Sequence, residues 1–180
     1  QMGKNPAIQA ITWNSNVDLD DVYVLDQSGA STENTFWGDT RIAALAPNGE
    51  SASGGTNNWT PSTGTDNSAL VDDATPNDDT DYNETGGVAN EDTYTLSDLP
   101  VSNVTVLGTQ LCALVKKTDA GTSEVAGVFR PSATSYPAAS RALSTNYTYE
   151  LWQQHLNPSN SGQWVENAIN GLEVGIRKTV

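Results

Sequence analysis

At 180 residues the chain is long enough for one domain with its own core, but only 36% of it is hydrophobic, so that core is thin or supported by neighbours. It carries 22 acidic residues against 8 basic ones, a net charge of −14, which opposes binding to nucleic acid or to an anionic membrane surface. No apolar run approaches the roughly 18–20 residues needed to cross a bilayer, and Cys112, the single cysteine, has no partner here for a disulfide.

The predicted elements are short strands separated by turn chemistry, the pattern of an all-β fold. Ala7–Trp13 and Asp20–Asp26 read as strands, the second apolar on both faces and hence central. Phe36–Ala46 holds another, ended by the turn signal Pro47-Asn48-Gly49. Residues 48–67 read as a polar surface loop pinned by Trp59, Ser68–Val71 as a short strand, and Asp72–Asn90 as a second long loop. Thr93–Leu99 is a strand closed by Pro100.

Asn103–Lys117 gives the clearest strand; its apolar parity changes across Gly108, which predicts a bulge there. Cys112 lies in its apolar run and reads as a small buried residue. Lys117-Thr118-Asp119-Ala120-Gly121 reads as a hairpin turn into Ser123–Arg130. Tyr147–Trp152 alternates like a strand, Gly162–Asn170 allows a helical turn or two, and Leu172–Ile176 closes the fold with one solvated face. The expectation is an antiparallel, jelly-roll-like β-sandwich over residues 18–180, with long polar loops, at most one short helix, and an N-terminal arm or strand over 1–17.

The inventory for catalysis is poor. His155 is the only histidine, no serine sits in a G-x-S-x-G elbow, and one Cys with one His cannot build a closed zinc site. No phosphate loop or dinucleotide fingerprint occurs, and the chain is read as a non-enzyme. For the acidic stretch two readings stay open. It is a solvated loop, or Asp72, Asp73, Asp78, Asp79 and Asp81 supply the hard oxygen ligands that calcium takes; no other cofactor is implied. Trp59 with Asn58, and Trp37, could stack on and hydrogen-bond a glycan, or serve as structural plugs. Acidity is uneven: residues 1–115 hold 17 of the acidic residues and only Lys4 and Arg41, whereas 116–180 hold six bases and five acids.

The order of several segments resembles structural proteins of tailed bacteriophages. These segments are Asp20-Asp21-Val22-Tyr23-Val24-Leu25-Asp26, Asn34-Thr35-Phe36-Trp37-Gly38-Asp39-Thr40-Arg41-Ile42, Trp59-Thr60-Pro61-Ser62-Thr63-Gly64, Pro76-Asn77-Asp78-Asp79-Thr80-Asp81-Tyr82 and Asn167-Ala168-Ile169-Asn170-Gly171-Leu172-Glu173-Val174-Gly175. The concanavalin A-like or laminin G-like lobe often carried by that family is largely missing here. The resemblance implies a virion protein on the capsid or tail surface, contacting other virion proteins and forming a homo-oligomer such as a trimer, with neither nucleic acid nor membrane as partner. It supplies no catalytic residues. The alternatives are a receptor- or glycan-binding fibre tip and, more remotely, a glycan-degrading enzyme.

Overall fold

The computed structural model describes residues 40–52 and 56–180. The chain divides into two compact units, Gln1–Ile42 and Ala43–Val180. The arm expected over 1–17, the strands expected at 7–13 and 20–26, the first part of the strand expected at 36–46, and Trp37 lie outside the described residues. Residues 40–46 carry no strand.

The second unit is all-β and antiparallel, with one short α-helix. In chain order its strands are β1 (Pro47–Glu50), β2 (Thr60–Pro61), β3 (Asn83–Glu84), β4 (Glu91–Leu96), β5 (Thr109–Val115) and β6 (Glu124–Arg130). There follow β7 (Tyr136–Pro137), β8 (Arg141–Ala142), β9 (Thr148–Gln154), β10 (Leu156–Asn157), β11 (Gly162–Gln163), the helix α1 (Glu166–Asn170) and β12 (Glu173–Lys178). The main sheet runs β1-β4-β12-β6-β7, with β8 pairing β6 beside β7. A separate ribbon pairs β5 with β9, and the short pairs β2-β3 and β10-β11 lie apart.

Several expectations are corrected. Pro47-Asn48-Gly49 opens β1 instead of ending a strand. A proline there is tolerated because β1 is the sheet edge, where a missing N–H leaves no ladder bond unmade. Ser68–Leu70 is a 3-10 turn, not a strand. The clearest predicted strand begins only at Thr109, so Gly108 precedes it and is not a bulge within it. The hairpin between β5 and β6 does not form. Asp119 does make the expected turn, its Oδ1 accepting from Gly121 N at 2.8 Å. The strands on either side of that turn enter different sheets: β5 takes β9, and β6 takes β12.

Strand alternation explains the layering. On one face of the main sheet Val125 and Phe129 of β6 and Val174 of β12 point into the core, joined by Trp164, Ile169 and Leu172 from the α1 region. The β5-β9 ribbon lies over this face. Its inward residues include Val115 and Trp152, with Leu111 and Ala113 packed against them, and Leu111 stands opposite Trp152 in register. The Trp152 ring rests on the backbone of Gly127, where a Cβ would come within 2.6 Å of the indole. Its N–H donates to Ala139 O at 2.8 Å, and that of Trp164 to Gln154 O at 3.0 Å. Each tryptophan thus buries a surface of roughly 150–250 Å² without orphaning its donor.

The other face of the sheet sets buried charges beside the buried apolar side chains of Ala126 and Val128. Glu173 stands directly opposite Arg130 on β6, and Arg177 directly opposite Glu91 on β4. Both are ion pairs, and Glu91, Arg130 and Glu173 are each under 5% exposed. The face expected to be solvated is therefore ion-paired, buried at Glu173 and partly exposed at Arg177. Flanking loops complete the polar bonds: Ser51 Oγ and Ala52 N donate to Glu173, Arg130 Nη2 donates to Ala133 O, and Ser135 Oγ donates to Glu91.

Candidate functional site

The acidic stretch is an exposed chain with a 3-10 turn at Asp78–Thr80. Its side chains are drawn to separate partners. Asp73 accepts from Asn77, while Asp79 accepts from Lys116 Nζ at the end of β5 and from Tyr147 Oη just before β9. Lys116 also lies 4.4 Å from the centroid of the Tyr147 ring. The ammonium, and then the phenol, hold the Asp79 carboxyl below its ordinary range, and Asp79 in turn raises Lys116. Asp81 is half-buried, and its Oδ1 is shielded from water with no donor. Among the described residues no three His, Cys, Asp or Glu side chains come close enough together to hold a metal ion. Asp72, Asp73, Asp78, Asp79 and Asp81 are thus not brought together as a carboxylate cage. What the stretch does is tie the long loop to one end of the β5-β9 ribbon.

Trp59 and Asn58 sit where a second loop crosses the sheet. Trp59 is half-buried against the core, and its indole N–H donates to Asn90 O at 3.2 Å. Asn58 is exposed; its amide N donates to Glu91 O and its carbonyl accepts from Asn90 Nδ2. Trp59 therefore acts as the pin of its loop, with its polar edge already used.

The loop is held from below by a carboxylate that the sequence reading did not single out. Asp92 of β4 is fully buried. Its Oδ1 accepts from Trp59 N at 2.8 Å, and its Oδ2 accepts from Asn67 Nδ2 at 2.6 Å and Tyr94 Oη at 3.0 Å. Asn83 Nδ2 donates to Tyr94 Oη at 3.1 Å, joining β3 to the network. Burial raises the Asp92 pKa despite these donors. Burial and the Asp92 charge push the Tyr94 phenol far above the usual tyrosine range. Because the folded-state pKa of Asp92 is raised, its ionisation subtracts from stability. That loss is absent below the ordinary aspartate range and sets in as pH rises from there through the raised value. Tyr94→Phe removes one donor to a buried carboxylate and one acceptor for Asn83, so it is expected to cost about 1–3 kcal/mol in urea unfolding at neutral pH.

The ribbon's outer face is the second unforeseen feature. Gln110, Cys112 and Leu114 of β5 stand opposite Gln153, Leu151 and Tyr149 of β9. Tyr149 is 62% and Leu151 44% exposed, and Cys112 is exposed, against the expectation that it is buried. The misreading is physical. The run is apolar on both parities, and in a two-layer fold an outer ribbon buries only one of them. None of these six side chains is charged, in a chain of net charge −14. His155, the only histidine, is exposed just beyond β9.

No family model, curated protein or solved structure matches the chain.

Proposed function

We propose that the chain is an assembly subunit: a structural protein of a tailed-bacteriophage particle that coats the capsid or tail surface in repeated copies. The observation that carries this reading is the uncharged outer face of the β5-β9 ribbon, with Cys112, Tyr149 and Leu151 open to solvent. A second copy of the chain is the partner that suits it. Like charge repels copies over much of the acidic surface, but face-to-face packing of two such ribbons brings no charges together and removes apolar area from water. The acidic loops, kept apart by their charge, would then face outward or toward other particle proteins. The order of phage-like segments in the sequence supplies the setting.

The test has two arms. Sedimentation of the purified chain should show a concentration-dependent oligomer, and Leu151→Glu should shift it to monomer without changing the far-UV spectrum. Quantitative mass spectrometry of purified particles should find the chain at many copies. A monomer at every concentration, together with absence from particles, would defeat the proposal.

A further inference from the structure

Two carboxylates converge on a single amide at the sheet edge. Ser68 N donates to Glu50 Oε1 at 2.9 Å and to Asp66 Oδ1 at 3.0 Å. Asp66 Oδ1 also accepts from Ser68 Oγ at 2.8 Å and Ala69 N at 3.3 Å, so it caps the 3-10 turn Ser68–Leu70. Glu50, at the end of β1, is half-buried and also accepts from Asn57 Nδ2. It thus binds both ends of the segment 56–70, which carries Trp59 and Asn58.

The surroundings make this an uncomfortable place for two negative charges. Glu50 stands opposite Tyr94 in the β1-β4 register, and the Tyr94 hydroxyl is held by Asp92. The titratable groups facing the pair from β4 are therefore a phenol and a third carboxylate. The Arg130–Glu173 ion pair lies beyond Ser51, whose hydroxyl it engages. Asp66 is exposed and has several donors, whereas Glu50 is partly desolvated.

We propose that Glu50 and Asp66 hold one proton between them, and that this singly protonated pair latches the 66–70 turn, and with it the segment 56–70, onto the sheet edge. The directions of titration agree. Burial and the neighbouring Asp66 raise Glu50, against the pull of the Ser68 and Asn67 amides. The Ser68 hydroxyl, then Glu50 itself, lower Asp66. The two signs oppose each other. Glu50, being raised, contributes stability that is full below its ordinary value and is lost as pH rises through the raised one. Asp66, being lowered, contributes stability present above its ordinary value and lost as pH falls through the lowered one. The latch is tightest between these limits. It loosens in acid, when Asp66 gives up its charge, and again toward higher pH, when two carboxylates face each other unprotonated.

Amide hydrogen exchange and carboxyl carbon NMR on the whole chain test this. Protection of the Ser68 and Ala69 amides, corrected for intrinsic exchange, should pass through a maximum with pH. Each limb should change by up to about tenfold per pH unit within its window. Glu50→Gln fixes the uncharged form and should shrink the high-pH limb to the part due to Asp92, which also holds this segment, while keeping the acid limb. Asp66→Asn should move the Glu50 titration toward the ordinary glutamate value. Protection that is flat with pH, or a high-pH limb as large in Glu50→Gln as in the wild type, would overturn the proposal. Should either variant fail to fold, the wild-type carboxyl titrations decide: two independent transitions at ordinary values overturn it, and mutually displaced ones support it.

Discussion

Gly175→Ala is expected to leave the domain unable to fold under conditions where the wild type is stable. Gly175 lies in the middle of β12, opposite Thr93 on β4 and Val128 on β6. A Cβ built there would sit 1.7 Å from Asp92 O and 2.7 Å from its carbonyl carbon. These are backbone atoms of a paired strand, so no rotamer change relieves the overlap; β4 and β12 would have to separate. Overpacking that side chains can absorb costs about 1–3 kcal/mol. Here the expected loss is at least about 3 kcal/mol, which is a large part of the 5–15 kcal/mol that typically holds a domain together. Far-UV circular dichroism and urea unfolding at neutral pH are the readouts. A variant with a wild-type midpoint would show that the strands have room the structure does not contain.

The second large effect concerns the buried pair between β12 and β6. Glu173→Ala is expected to destabilise the domain by about 3–5 kcal/mol, because it strips a carboxylate from a guanidinium that is only 3% exposed. The penalty comes from leaving a charge in a dry place, not from the strength of the pair. The double variant Arg130→Met with Glu173→Leu should therefore recover most of the loss. If urea midpoints show the double variant to be worse than the single one, then the remaining bonds to Ser51, Ala52 and Ala133 matter more than the desolvation.

The strand runs were legible because period-two alternation survives in β9 and β12, while β5 and β6 are short apolar runs bounded by turn signals. Which strands pair was not. The Lys117–Gly121 signal made a correct turn, yet turn chemistry cannot say whether the strands it joins share a sheet. That is decided by β6, whose edges are taken by β12 on one side and by β7 and β8 on the other. The candidate site was less legible still. Acidic residues in turns drew attention to 72–81, where all but the half-buried Asp81 are exposed and Asp73 and Asp79 turn to separate partners. The consequential carboxylates, Glu50, Asp92 and Glu173, lie in or at the ends of strands, where a charged residue ordinarily signals a wet face. In Glu173 and Arg177 the alternation was read correctly, and only the cross-strand partners, 43 and 86 residues away, reveal that the face is ion-paired, with Glu173 buried.

The place of β12 has a consequence for how the molecule is made. This strand, at Glu173–Lys178, lies in the sheet between β4 and β6, which come much earlier in the chain and have no direct ladder to each other. During synthesis the ribosome must release almost the whole domain before that gap is filled. Until then the facing edges of β4 and β6 are open, along with half of each ion pair. Folding of this sheet is thus deferred until β12 has emerged and rests on contacts distant in sequence, the kind that form slowly. In that interval the nascent chain offers unpaired strand edges to its neighbours, and its strong negative charge is what keeps the waiting chains apart.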